Sequence, residues 1–448
     1  MQVVHLGRVV SAIVFGITMF YIIAVVNAIP LADEWRWVTS LIIPYSKGEI
    51  SALQLITGEY EFLSHSHYLT LSYILFIYKF FHLDFMLMNY AGIFFWIAGF
   101  ILTVRFLEGR LANRNVEKTD HVMAVLVASV GYCSITSDFP WLLVTFEYVY
   151  FFQAILLLFI FDRYINGGVS NFVFYSFLFL CSIFSETIGF TSVLVVLAFS
   201  FLGVLFRFIK PTVLIMVVAT VVLALALQFI TMGFGIGHGG QSKLTTIVSL
   251  LNAPYAIFSI IGASIVQPLL DVVVLKWIFG EEFRIVQNFI AFIISIFFVC
   301  FLVFLIKYWN RKLHMLPLLF MAYSFGAAVL IMISRYTDFG ISILDAQRFT
   351  RLFSLYYVGF AFMIAVVPGF KRGKLIMTLF VVLCFTTSSV YQIENSHYVV
   401  DYFNNIQSAF WDENHLNEVS KTIGRCNNGF CDKAIEFLRE EKLSIYHK

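Results

Sequence analysis

The chain has 448 residues, of which 60% are hydrophobic, 18% aromatic and only 12% charged. A soluble globular chain carries about 25% charged residues, so a water-soluble fold is excluded, and 52 Phe and 22 Tyr spread over repeated apolar stretches point to one polytopic membrane domain. With 29 Lys+Arg against 27 Asp+Glu, the formal net charge of +2 offers no basic field for nucleic acid, which is not expected as a partner.

Inside a bilayer the backbone must satisfy its own polar groups, so long apolar runs without strand alternation are read as helices, and the fold class is all-α. The first run, Val9 to Ala28, follows Arg8 and ends at Val26-Asn27-Ala28, which has the small residues of a signal cleavage site. Its length of about 20 apolar residues exceeds a signal core, and many more spans follow, so it is read as an uncleaved span. Further runs cover roughly 85–104, 121–137, 149–162, 171–187, 188–206, 211–231, 286–306, 315–334, 352–368 and 375–391. Two segments are ambiguous between span, re-entrant hairpin and interfacial helix. These are Tyr68–Phe81, which carries Lys79, and Ala253–Leu275, which contains Pro254, Pro268 and Asp271.

Cytoplasmic loops collect Lys and Arg, and that rule decides the arrangement. If both ambiguous segments begin and end outside, Arg8 falls inside together with the connectors holding Arg105/Arg110/Arg114/Lys118, Arg163, Arg207/Lys210, Lys307/Arg311/Lys312 and Lys371/Arg372/Lys374. The expectation is a transmembrane helix bundle over residues 1–391, with about eleven spans, the N-terminus inside and the C-terminus outside. It has an outer first loop 30–84 and a re-entrant or interfacial segment 250–285. A small soluble tail, 392–448, follows on the outer face, with a stretch of helical periodicity over Lys433–Lys442.

Unusual polar chemistry collects in the outer segments. Immediately after the first span come Asp33-Glu34-Trp35-Arg36-Trp37, two adjacent carboxylates and two tryptophans at the interface. Such a pair can hold one member at a raised pKa, act as a general base or bind metal, and Trp at this level also serves as an interfacial anchor. The loop ends in His65-Ser66-His67, too few ligands to fix a metal by spacing. Asp138-Phe139-Pro140-Trp141, Glu147-Tyr148 and Glu186 add acids and aromatics on the same side, and ionisable groups at membrane depth tend to face a cavity or a partner.

The loop Arg335 to Asp338-Phe339-Gly340 and on to Gln347-Arg348-Phe349-Thr350-Arg351 puts three arginines on the outer face, against the charge rule. On a helix Arg348 and Arg351 would share a face and could clamp a phosphate, unless they pair with Asp338 or Asp345. Four cysteines, Cys133, Cys181, Cys300 and Cys384, lie in apolar segments. Cys426 and Cys431 flank a four-residue turn in the tail that could close as a disulfide in an oxidising compartment.

Together these pieces resemble the GT-C superfamily of polytopic glycosyltransferases that use polyprenyl-phosphate sugars. The residues carrying the resemblance are Asp33-Glu34-Trp35 after the first span, His67, Trp141 with Glu147, and the Arg335 to Phe339-Gly340 to Gln347-Arg348 loop entering a late span. Ser66 and Tyr68 flank His67 where relatives commonly have an acid and an arginine. In size and layout the chain is similar to phage-borne O-antigen glucosyltransferases.

The resemblance implies a bacterial inner-membrane hexosyltransferase with its active site facing the periplasm. Its partners would be a polyprenyl-phosphate-linked sugar donor, a glycan acceptor such as O-antigen, and membrane lipids. Asp33, or less favourably Glu34, would take a proton from the acceptor hydroxyl. Arg348 and Arg351, with Arg335 nearby, would stabilise the leaving phosphate, and Trp35, Trp37, Trp141, His67, Glu147 and Glu186 would contact sugar or acceptor. No cofactor is required, and the acid pair permits Mg²⁺ or Mn²⁺. An O-antigen polymerase and a lipid-linked sugar transporter or flippase are the competing readings.

Overall fold

A computed structural model of the chain describes residues 2–27, 34–57, 68–112, 116–135, 142–184, 187–232, 243–307, 310–346, 349–366, 371–411 and 430–447. Among these residues every regular element is a helix. The first helix, α1 (Gln2–Val25), is followed by short pieces, α2 (Glu34–Trp37), α3 (Ile43–Ser46) and α4 (Ala52–Thr57), with a π-type turn over Val38–Ile42. Then come α5 (Tyr68–Phe81), α6 (Phe85–Ala112), α7 (Lys118–Tyr132), α8 (Leu142–Ile165), α9 (Asn171–Phe184), α10 (Thr187–Leu205) and α11 (Pro211–Met232). The second half contains α12 (Lys243–Leu251), α13 (Pro254–Val266), α14 (Val272–Phe279), α15 (Phe283–Lys307), α16 (Arg311–Phe339), α17 (Thr350–Phe353) and α18 (Leu355–Val366). It closes with α19 (Lys371–Glu394), α20 (Ser396–Trp411) and α21 (Phe430–Glu440).

Among the described residues, 7 helices are long and apolar enough to cross a membrane: α1, α6, α8, α10, α11, α16 and the nearly continuous α19–α20. Four further apolar helical stretches, Leu69–Phe81, Asn171–Phe184, Tyr255–Val266 and Thr350–Val366, are shorter. The 14 residues of α9 extend about 21 Å at 1.5 Å per residue, against about 30 Å of hydrocarbon. The eleven expected spans are therefore not all matched by helix length.

The bundle turns large apolar side chains outward. Ile215 and Leu223 of α11, Phe289 and Phe292 of α15, and Ile376 and Leu383 of α19 are all exposed. Contiguous apolar surface of this kind is rare on monomeric soluble proteins and fits a lipid-facing girdle. Opposite it, α18 is buried along its length from Leu355 to Ala365, packed between α7 and α16. A helix buried on all sides is the expected core element of a large bundle.

Pairs between helices fix how they run. At one end, Arg8 at the start of α1 meets Glu108 near the end of α6 at 3.1 Å, and Lys371 opening α19 meets Glu117 at 2.8 Å. Arg110 pairs with Asp162 of α8, and Lys374 with Asp120 of α7, at the same level. This is the basic end. At the other, the loop end, Asn89 of α6 donates to the Asn27 carbonyl beyond α1 at 2.8 Å, and Thr70 and Tyr150 share a hydrogen bond at 2.9 Å.

Both ambiguous segments stay at the loop end. Helix α5 starts beside Tyr150, and its far end at His82 accepts a hydrogen bond from the Ser444 backbone N–H at 2.7 Å just before α6 begins. Along the α12–α14 stretch, Tyr255 reaches Tyr336 near the end of α16, Gln267 donates to the Leu344 carbonyl at 2.8 Å, and Trp277 packs on Tyr391. Neither segment crosses the bundle.

A second apolar core caps the loop end. Trp35, Trp37 and Leu41 from the first loop, Leu71 and Ile74 from α5, Phe403 and Ile406 from α20, and Ile435 and Leu438 from α21 form one cluster. The tail thus shares its core with the first loop, and the boundary drawn at residue 391 falls inside α19. His82 and His447 stack beside this lobe with ring centroids 3.8 Å apart.

Candidate functional site

The arginine-rich loop leads into α17, whose four residues Thr350, Arg351, Leu352 and Phe353 are all buried. Arg351 is 2% exposed, and its guanidinium carbon lies 4.6 Å from the centroid of the Tyr148 ring of α8. A cation over an aromatic face is attracted by the ring quadrupole, most strongly when water is excluded. A guanidinium withdrawn from water in a bundle core is costly, and such groups mark functional positions in membrane proteins.

Glu147, half-buried, precedes Tyr148 on α8. Its carboxylate lies within electrostatic reach of Tyr323 of α16, whose hydroxyl donates to the Ile188 carbonyl at the start of α10 at 3.2 Å. Helices α8, α10, α16 and α17 thus bring a carboxylate, a guanidinium and two phenols to one region at the loop end. Tyr148 itself packs against Trp96 of α6, centroids 6.4 Å apart.

A polar layer borders this region, and local sequence patterns did not reveal it. Asp345 pairs with Lys276 at 3.3 Å and with Arg284, so the loop after α16 is pinned to α14 and α15. Asp271 caps α14 by accepting from the Val273 N–H at 2.8 Å, and Gln267, Gln287 and Ser388 are buried nearby in the chain fold. Asp271 and Pro268, standing inside an apolar run, were the available signal.

Several expected site residues, Asp33, His67, Trp141, Glu186, Arg348 and Cys426, lie outside the described residues. Glu34 opens α2 at the loop end. Arg335 is half-buried in the last turns of α16. One expectation is corrected. Trp35 and Trp37 are 1% and 4% exposed in the lobe core, packed where a sugar cannot stack on them. Helix α17 begins at Thr350 and carries Arg351 as its second residue.

Cys431 is disulfide-bonded, while Cys133, Cys181 and Cys384 are free thiols. Among the described residues no group of three or more His, Cys, Asp or Glu side chains could hold a metal ion. In the lobe, burial pushes the Tyr73 hydroxyl up to about 12, with the Asp84 carboxylate adding to the shift.

Compared with known proteins, the chain matches no family model, no curated protein and no solved structure.

Proposed function

We propose that the chain is an inverting glycosyltransferase of the GT-C type, moving a monosaccharide such as glucose from polyprenyl phosphate to a glycan acceptor of the O-antigen kind. In this reading about eleven segments cross the bacterial cytoplasmic membrane, the basic end faces the cytoplasm and the loop end faces the periplasm. The acceptor hydroxyl oxygen attacks the anomeric carbon while the bond from that carbon to the phosphate oxygen breaks. Asp33, or Glu34 beside it, takes the hydroxyl proton as general base. The polyprenyl phosphate leaves with its charge held by Arg348 and Arg351, and Glu147 orients sugar hydroxyls.

The observation that supports this most is the buried Arg351 guanidinium at the loop end, where Glu34 also opens α2. A preorganised cation in a water-poor site stabilises charge developing on a leaving phosphate, and removing one such group costs about 10²–10³ in rate.

Sugar transfer from a labelled polyprenyl-phosphate hexose, measured with the full chain in membranes, tests the proposal. Asp33→Asn and Arg351→Lys are each expected to lower transfer at least a hundredfold while the protein stays in the membrane at native levels. Joining of polyprenyl-diphosphate oligosaccharides instead of monosaccharide transfer would assign a polymerase. If both variants transfer sugar at the native rate, the proposal is wrong.

A further inference from the structure

At the basic end, away from the region proposed for sugar transfer, α6 and α8 pack side by side and leave a cleft of about 510 Å³ between them. Leu102, Arg105, Phe106, Gly109 and Arg110 recur at helical spacing along one face of α6, and Phe159, Arg163 and Asn166 do so along α8. The polar members lie toward the helix ends, and Leu102, Phe106 and Phe159 lie toward the bilayer interior.

The charges in this cleft do not balance. Asp162, 0% exposed, is met by Arg110 and by the Asn166 amide, which donates to its carboxylate at 3.3 Å. Arg105 and Arg163 are both exposed and form no ion pair among the described residues. The Arg163 guanidinium carbon lies 5.1 Å from the centroid of the Phe159 ring, and Arg163 lines the cleft. Two guanidinium groups lining one cleft with Phe106 and Phe159 offer donors that suit a phosphate anion.

Size and apolar walls indicate where that phosphate comes from. The cleft falls in the range of pockets that hold drug-sized molecules, far beyond a bare phosphate, and it continues into apolar side chains where acyl chains would lie. Basic pockets between membrane helices on the positively charged side recognise anionic headgroups. We propose that the α6–α8 cleft binds the phosphate-bearing headgroup of an anionic membrane lipid, with Arg105 and Arg163 as its phosphate ligands. The proposal does not depend on the sugar-transfer reading.

Native mass spectrometry of the full chain in a neutral detergent tests it, with phosphatidylglycerol as the probe, phosphatidylcholine as the control and millimolar inorganic phosphate as competitor. The chain is expected to retain phosphatidylglycerol and not phosphatidylcholine, and inorganic phosphate is expected not to displace it. Arg105→Gln with Arg163→Gln should weaken retention on the order of 30-fold. Gly109→Leu keeps the charge but fills the cleft, because a Cβ at Gly109 meets nothing within 4 Å, and it should weaken retention as well. Lipid-free melting temperatures of both variants should match the native chain.

Equal retention of the two lipids would overturn the proposal. So would a Gly109→Leu variant that binds as well as the native chain, since the arginines would then act only as diffuse surface charge. Displacement by inorganic phosphate would assign the site to the free anion instead.

Discussion

The central guanidinium carbon of Arg351 sits 4.6 Å from the centroid of the Tyr148 ring, joining α17 to α8 across a sequence gap of about two hundred residues. Replacing Tyr148 by Phe keeps the π-face, whereas Leu removes it. A desolvated cation–π contact is worth about 2 kcal/mol. Tyr148→Leu is therefore expected to reduce sugar transfer on the order of tenfold or more, and Tyr148→Phe to leave it within a few-fold of native. Equal losses in the two variants would show that the hydroxyl, not the ring face, matters.

The basic end holds a pair with both partners withdrawn from water: the Lys374 and Asp120 side chains are 4% and 9% exposed. Removing one partner of such a pair strands the other charge and typically costs about 3–5 kcal/mol, whereas replacing both by apolar groups is often neutral. Lys374→Met is thus expected to lower the melting temperature of the detergent-solubilised chain strongly. Lys374→Met combined with Asp120→Leu should recover most of that loss. A double variant as unstable as the single one would mean that the pair itself supplies the stability.

How much of this was legible beforehand follows from the range of each signal. Helices over 85–112 and 211–232 announce themselves because an apolar run of bilayer length has one way to satisfy its backbone. The side on which Tyr68–Phe81 and Ala253–Leu275 begin and end is an expectation drawn from where Arg105, Arg163 and Arg207 fall, a property of the charges and not of the segments. Burial of Trp35 and Trp37 was not readable. Their partners, such as Ile435 and Leu438, lie about four hundred residues away, and an interfacial tryptophan has the same local pattern as a core one. The same holds for Asp345, whose nearest arginines in sequence are Arg348 and Arg351 but whose partners are Lys276 and Arg284.

Close approach of α18 to its neighbours depends on two glycines. A Cβ on Gly359 would stand 2.4 Å from the Pro317 carbonyl oxygen of α16, and one on Gly131 of α7 would stand 2.3 Å from the Tyr357 Cβ. Neither obstacle is the free end of a flexible side chain, so helices must separate. Overpacking of this kind costs about 1–3 kcal/mol. Gly359→Ala is expected to lower the melting temperature clearly, while Gly16→Ala in α1, where nothing lies within 4 Å, should be neutral or slightly stabilising. Matching melts for the two variants would contradict the packing described for α16 and α18.

Tyrosines in the loop-end lobe make its attachment sensitive to alkali. Burial raises Tyr73 from 10.0 to about 12, helped by Asp84, and burial likewise raises Tyr78, Tyr402 and Tyr446, in the last case against the Arg439 charge. Each phenol is held neutral by the folded lobe, so the unfolded state releases its proton at lower pH. The associated stability is fully present below pH 10.0 and is lost as pH rises through about 12 for Tyr73. Limited proteolysis of the tail across this window, followed beside tyrosinate absorbance, should show α21 released as Tyr73 ionises. Tyr73→Phe should shift release to higher pH. Cleavage at the same pH in both proteins would show that Tyr73 does not govern the docking of the tail on the first loop.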